Sequence, residues 1–138
     1  MAKLDLQQQP HRRFNPLTNI HPGAYKVHGI SHLMLMDEPR FASEYEQVRE
    51  ILSGAEMVLI YNAPFDVTCL DETCELHEVE PIKLKTACVM RWYARWYGEI
   101  GQRGYKWQPL MGGDHSAVGD AKAALTLLRK MAGVEVAA

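Results

Sequence analysis

Two short segments carry side chains that could do chemistry together. In Leu59-Ile60-Tyr61-Asn62-Ala63-Pro64-Phe65-Asp66 an apolar run ends at an asparagine and an aspartate follows. In Asp114-His115-Ser116-Ala117-Val118-Gly119-Asp120-Ala121 a histidine lies in a glycine-flexed stretch, and an aspartate comes five residues later. Carboxylate oxygens suit hard cations. An imidazole titrates near neutrality, where a general base must work. Taken singly, Asp66 or Asp120 is better explained as a first-turn acid that complements a helix dipole, and His115 as an ordinary loop histidine. The two segments together point to a site.

Such a site needs elements that bring its parts to one place. Met57-Val58-Leu59-Ile60 is a continuous apolar run just after Gly54, the pattern of a strand buried on both faces. Open α/β sheets build sites where such a strand ends and a helix begins. Before it, Asp37-Glu38-Pro39 is expected to open a helix with its proline at an early position. Phe41, Tyr45, Val48 and Leu52 then form an amphipathic stripe that stops at Gly54. After the strand, a helix is expected to about Leu76 with Phe65, Cys69, Leu70 and Thr73 inward.

Further on, Pro81–Leu84 reads as a short strand, and Thr86 as the cap of a helix rich in aromatics (Trp92, Tyr93, Trp96, Tyr97) that ends in glycines. A last helix from about Val118 places Ala121, Leu125, Leu128 and Ala132 on one face. Residues 1–26 are broken by Pro10, Pro16, Pro22 and Gly23, and read as a short extended segment around Arg12–Phe14 followed by a loop. Helices alternating with short strands predict an α/β domain with a parallel sheet, a single domain over residues 1–138.

The 138 residues and 47% hydrophobic content are enough for a buried core. No apolar run approaches the ~20 residues that span a bilayer. Met1-Ala2-Lys3-Leu4-Asp5 has no apolar leader, and three cysteines read as reduced thiols, so a cytoplasmic location is expected. Net charge is −2, unevenly spread: Asp37 to Glu80 holds twelve acids against Arg40 and Arg49, whereas Lys83 to Lys106 holds six bases against Glu99. This reads either as solvated helix faces or as a basic flank beside an acidic site.

The chain resembles the DEDDh 3′–5′ exonucleases, of RNase H-like fold, which include the proofreading subunit of bacterial replicative polymerases and RNase T. Tyr61-Asn62-Ala63-Pro64-Phe65-Asp66 looks like their second motif, and His115 through Asp120-Ala121 like their third. Ala24 with Val27-His28-Gly29-Ile30-Ser31 is similar to a further element, and agreement runs in order from about residue 12 to 132. The resemblance implies two-metal phosphodiester hydrolysis with Mg²⁺ or Mn²⁺, with Asp66 and Asp120 as metal ligands and His115 as general base. It also implies that His28, Gly29, Ile30, Asn62 and Phe65 shape the pocket for the terminal nucleotide. The implied partners are a single-stranded 3′ end and either a polymerase or a protein that completes the fold.

The family's first motif, Asp-x-Glu on the first strand, is absent; Leu4-Asp5-Leu6-Gln7 is no substitute. The expectation is therefore a fold truncated at its N-terminus, without its first strand and with impaired hydrolysis. The alternative is a non-catalytic nucleic-acid-binding remnant or a structural subunit of the same fold.

Two other constellations compete. Cys69, Cys74, His77 and Cys88 are zinc-competent, but Cys69 and Cys74 would diverge by about 140° around one helix, so they read as small hydrophobes. Trp92, Tyr93, Trp96 and Tyr97 with Arg91 and Arg95 could stack on bases, but at helical spacing Trp92 and Trp96 are expected in the core.

Overall fold

A computed structural model describes residues 12–134. Helix α1 (Pro22–His28) and a 3₁₀ turn (Leu33–Leu35) lead into α2 (Phe41–Gly54), β1 (Val58–Ile60), α3 (Ala63–Leu76), β2 (Thr86–Cys88) and α4 (Val89–Tyr97). A hairpin of β3 (Ile100–Gly101) and β4 (Gly104–Tyr105) follows, and then α5 (Ala117–Met131). The mixture of helices and small sheets fits an RNase H-like exonuclease domain. Among the described residues, no helix is long and apolar enough to cross a membrane.

β1 and β2 pair in parallel, Val58 with Thr86 and Ile60 with Cys88. The crossover between them is α3, the helix that a parallel connection requires. Phe41 and Tyr45 on α2, Cys74 on α3 and Ile82 form a buried cluster, with Phe14, Val48, Leu52, Leu70, Val79 and Leu84 packed on it. The stripe on α2 thus does what its spacing predicts. The Tyr45 hydroxyl pins the cluster by donating to the Glu80 carbonyl at 2.8 Å. On the other side of the domain, Val89, Met90, Tyr93 and Ala94 form the buried face of α4, which packs on α5.

Several sequence expectations are corrected. Pro22 and Gly23 start a helix rather than a loop, because the His21 side chain accepts the Gly23 N–H at 3.1 Å and supplies a cap. Pro39 precedes α2, whose N-cap is Arg40. Leu59 is exposed, so β1 is not buried on both faces. Pro81–Leu84 is irregular even though Ile82 is buried; the strand is Thr86–Cys88, and Thr86 caps nothing. Phe65 and Cys69 point outward while Cys74 is fully buried, because α3 turns its Leu70–Cys74 side to the core. On α5 the buried pair is Ala123 and Ala124, not Ala121 and Ala132. Trp92 and Trp96 are exposed, and Tyr93 takes the inward position.

Candidate active site

The end of β1 is fixed by hydrogen bonds that converge on Tyr61. Its carbonyl accepts the Met90 N–H at 2.8 Å and the Cys88 thiol at 3.4 Å. Its hydroxyl donates to the Gln108 carbonyl. One residue therefore ties the strand end both to α4 and to the segment that follows the hairpin.

Asn62 comes next, as the N-cap of α3. Its side chain makes no capping bond, while its carbonyl accepts the N–H groups of Phe65 at 3.0 Å and Asp66 at 3.3 Å. Pro64 sits at the start of the helix, where a missing N–H costs nothing. Phe65 is 64% exposed, a large apolar ring left facing solvent beside Asp66. Burial pushes the Asp66 carboxyl above its ordinary value, and the neighbouring negative charge of Asp120 pushes it further in the same direction. Asp66, in the first turn of α3, thus feels the charge of Asp120, in the first turn of α5.

The start of α5 is built by a local network. The Asp114 carboxylate accepts the Ser116 N–H at 2.9 Å and the Ser116 hydroxyl at 2.6 Å. Ser116 in turn caps the helix by accepting the Gly119 N–H at 3.0 Å. The bonds from Ser116 hold the Asp114 carboxyl below its usual range. The Asp120 carboxylate reaches back to accept the His115 N–H at 3.1 Å. His115 itself adopts a left-handed backbone with φ 64, a conformation uncommon for a residue with a Cβ and concentrated at functional sites. Two glycines make the network possible. A Cβ at Gly113 would overlap the Asp120 carboxylate, and one at Gly119 would overlap that of Asp114.

Asp120 bonds to His115 and its charge acts on Asp66, and Asn62 and Phe65 lie with Asp66 at the start of α3. His28, Gly29 and Ile30 form the end of α1: Gly29 is its left-handed cap at φ 69, and His28 Nδ1 accepts the Ile30 N–H at 3.0 Å. Among the described residues, no hydrogen bond joins that turn to Asp66, Asp120 or His115. Sequence reasoning missed Gly113, Gly119 and the Asp114–Ser116 bonds. The Asp-x-Ser spacing before a helix start was the available signal.

The donor chemistry of Asp66 and Asp120 fits a hard divalent cation, for which carboxylate oxygens are the preferred ligands. In number the pair falls short, because among the described residues no three His, Cys, Asp or Glu side chains gather as a metal-holding group.

Comparison with known proteins gives the chain's family. The family model described as Exonuclease (RNase T) matches residues 7–128. The DNA polymerase III subunit epsilon of Pasteurella multocida is 44% identical over 61 residues, covering 44% of this chain and 24% of that protein. Its counterpart in Escherichia coli K12 is 35% identical over 78 residues, 56% of this chain and 32% of that protein. An uncharacterized exonuclease of Escherichia phage 186 is 28% identical over 135 residues, 85% of this chain and 69% of that protein. The chain thus spans a third or less of the two polymerase subunits' length. With the family model covering nearly all of the described chain, the chain belongs to the RNase T exonuclease family.

Proposed function

We propose that this chain carries the site of a 3′–5′ exonuclease, which hydrolyses the terminal phosphodiester of a single-stranded nucleic acid and releases nucleoside monophosphates. The observation that carries the reading is the Asp120 carboxylate. It acts on Asp66 through space and holds the His115 backbone through a hydrogen bond. Family membership supports the reaction class.

In this reading Asp66 and Asp120 supply oxygens to Mg²⁺ or Mn²⁺. The cation's contribution is to neutralise phosphate charge and polarise the bond to be broken. His115, exposed at the tip of its loop, takes the proton from the attacking water. Asn62, whose side chain is not spent on capping, and the exposed ring of Phe65 contact the terminal nucleotide. His28, Gly29 and Ile30 belong to the same pocket by family resemblance. A polymerase is the proposed protein partner, because relatives carry the name of a polymerase subunit, and the cytoplasm is the proposed compartment.

The short donor set supports a further expectation. Two carboxylates leave two divalent ions poorly neutralised, and Mg²⁺ gives up water reluctantly. The chain by itself should therefore turn over weakly. The same shortfall is what favours the second reading, a domain that binds nucleic acid without cutting it.

The experiment is release of mononucleotides from a 3′-labelled single strand in Mg²⁺ or Mn²⁺, with EDTA as control. The chain is compared with a version extended by an Asp-x-Glu strand. In the extended version His115→Ala should lower the rate by about two orders of magnitude or more while substrate affinity changes little. Unchanged turnover in that variant removes His115 from the reaction. Binding without EDTA-sensitive release in either version establishes the second reading.

A further inference from the structure

All three tryptophans of the chain stand at the surface, at 43% exposure for Trp92, 48% for Trp96 and 66% for Trp107. Tyr97 and Tyr105 are exposed with them. Rings of this size are usually covered by something, and an exposed run of them marks a binding surface.

The charges around them are specific. At about 100° per residue, Arg91 and Arg95 form one ridge of α4, and Trp92 and Trp96 form the ridge beside it. The arginine ridge lies opposite the buried side of Val89, Met90, Tyr93 and Ala94, and the tryptophan ridge borders that side, half-exposed. The hairpin adds Arg103, and Lys106 and Trp107 follow it. Between Lys83 and Trp107 the single acid is Glu99, and Lys106 neutralises it through an ion pair. From α5, the Lys130 ammonium lies 5.7 Å from the centre of the Trp96 ring, bracing it from one side and adding positive charge.

This ribbon is anchored to the candidate site. Met90, in the first turn of α4, donates to the Tyr61 carbonyl, and Gln108, next to Trp107, accepts from the Tyr61 hydroxyl. Tyr61 immediately precedes Asn62.

We propose that the exposed face of α4 and the residues around the β3–β4 hairpin form a stacking track for single-stranded nucleic acid. Indole and phenol faces take bases, and Arg91, Arg95 and Arg103 take phosphates. Apolar planes alternating with fixed cations complement a strand in which bases alternate with phosphates. An apolar protein partner would leave the arginine ridge unpaired. The proposal builds on the exonuclease reading, in which the strand held here leads to the site, but binding on the track needs no hydrolysis.

The test uses the whole chain in EDTA with a labelled oligo-dT strand of about twenty nucleotides, a length sufficient for one such site. Anisotropy and quenching of tryptophan emission are read across a salt series. Trp92→Ala combined with Trp96→Ala should weaken binding about tenfold or more and leave the slope of log affinity against log salt unchanged. Trp92→Leu with Trp96→Leu, which keeps apolar bulk, should weaken it similarly. Arg91→Ala with Arg95→Ala should reduce that slope by about 1.4, the share of two phosphates on a single strand.

His115→Ala and Asp120→Asn should retain this binding. If they do while no version of the chain hydrolyses anything, the exonuclease reading fails and the track stands. The track is overturned if the wild-type chain does not bind the strand or if the tryptophan variants bind it equally well. It is also overturned if those variants merely convert a dimer to a monomer at unchanged oligonucleotide affinity, which would make the face a protein contact.

Discussion

The Asp120 carboxylate accepts the backbone N–H of His115 at 3.1 Å, so a side chain in the first turn of α5 fixes the conformation of the loop that precedes it. The two residues are five apart in sequence and act as one unit. His115 is held at a positive φ that a free loop would relax, at a cost of about 1 kcal/mol or more.

That relationship separates two ways of losing activity. Asp120→Asn keeps an oxygen acceptor for the His115 N–H and removes the charge. Asp120→Ala removes both. In a version competent for hydrolysis, both should lose about a hundredfold or more in rate, the scale associated with a group that acts on the reaction directly. Hydrogen exchange at His115 should accelerate only in Asp120→Ala. Equal exchange in the two variants would mean that the bond does not hold the loop.

Asp66 should be costly to the fold. Its carboxyl is raised first by burial and then by Asp120, so the folded state holds a proton at pH values where the unfolded chain has released it. The sign follows: the folded state gains relative stability as pH falls through the raised value and loses it as pH rises, until both states are ionised. Asp66→Asn should therefore be slightly more stable than the parent at neutral pH. Discounted for partial exposure, the gain is about 0.5 kcal/mol, or about 1–2 °C in Tm. Thermal melts at neutral pH and near pH 4 should show the advantage at the former and not at the latter.

Gly119 inverts an ordinary rule. It lies inside α5, where alanine would normally stabilise by about 1 kcal/mol. Here a Cβ would overlap the Asp114 carboxylate, displacing the partner of Ser116 and loosening the helix cap. Gly119→Ala should lower Tm, whereas Gly119→Ala combined with Asp114→Ala should recover part of the loss. A gain in Tm in the single variant would mean that the Asp114–Ser116 bonds contribute nothing.

His77, beyond the site, gives the fold a pH dependence of its own. It is buried against the Phe41 ring, and among the described residues its Nδ1 has no hydrogen-bond partner. Burial lowers its pKa, and Arg40 lowers it further. Above the unfolded value of about 6.5 both states are neutral and stability is complete. As pH falls below that value the unfolded chain takes the proton first, and stability declines until the folded pKa is passed. Urea melts at pH 8 and pH 5.5 should show this decline. His77→Leu should reduce it and add about 1 kcal/mol at pH 8 by removing an unsatisfied buried nitrogen.

The sequence was most informative where chemistry and local geometry coincide. Asn62 and Asp66 follow an apolar run, and Asp120 opens the last expected helix, so both aspartates could be placed at helix N-termini before any tertiary contact was known. The α2 stripe was legible for the same reason, since Phe41 and Tyr45 lie a helical turn apart. Packing decided the rest. Ile82 and Leu84 look like strand residues, yet the ladder hydrogen bonds are made by Thr86–Cys88, and Ile82 serves the core from irregular backbone. Trp92 and Trp96 have the spacing of core residues. They lost that place to Val89, Met90, Tyr93 and Ala94, because periodicity shows that a helix has an apolar face without saying which of two apolar faces turns inward. The glycine positions at 113 and 119 depend on where a carboxylate from another position lands, which no linear pattern encodes.

Tyr61 bonds through its carbonyl to the start of α4 and through its hydroxyl to the segment leading towards His115. A ligand that orders the outer ribbon therefore bears on the residue that immediately precedes Asn62 and the helix carrying Asp66. Wherever such a shared restraint changes affinity at one place, thermodynamic reciprocity requires an equal change at the other. A strand resting on the tryptophans would then raise the affinity for its own terminal nucleotide at the far end, and a tightly held terminal nucleotide would lengthen the residence of the strand behind it. Tyr61→Phe, which deletes only the hydroxyl, is the substitution that would uncouple the two while leaving each able to bind alone.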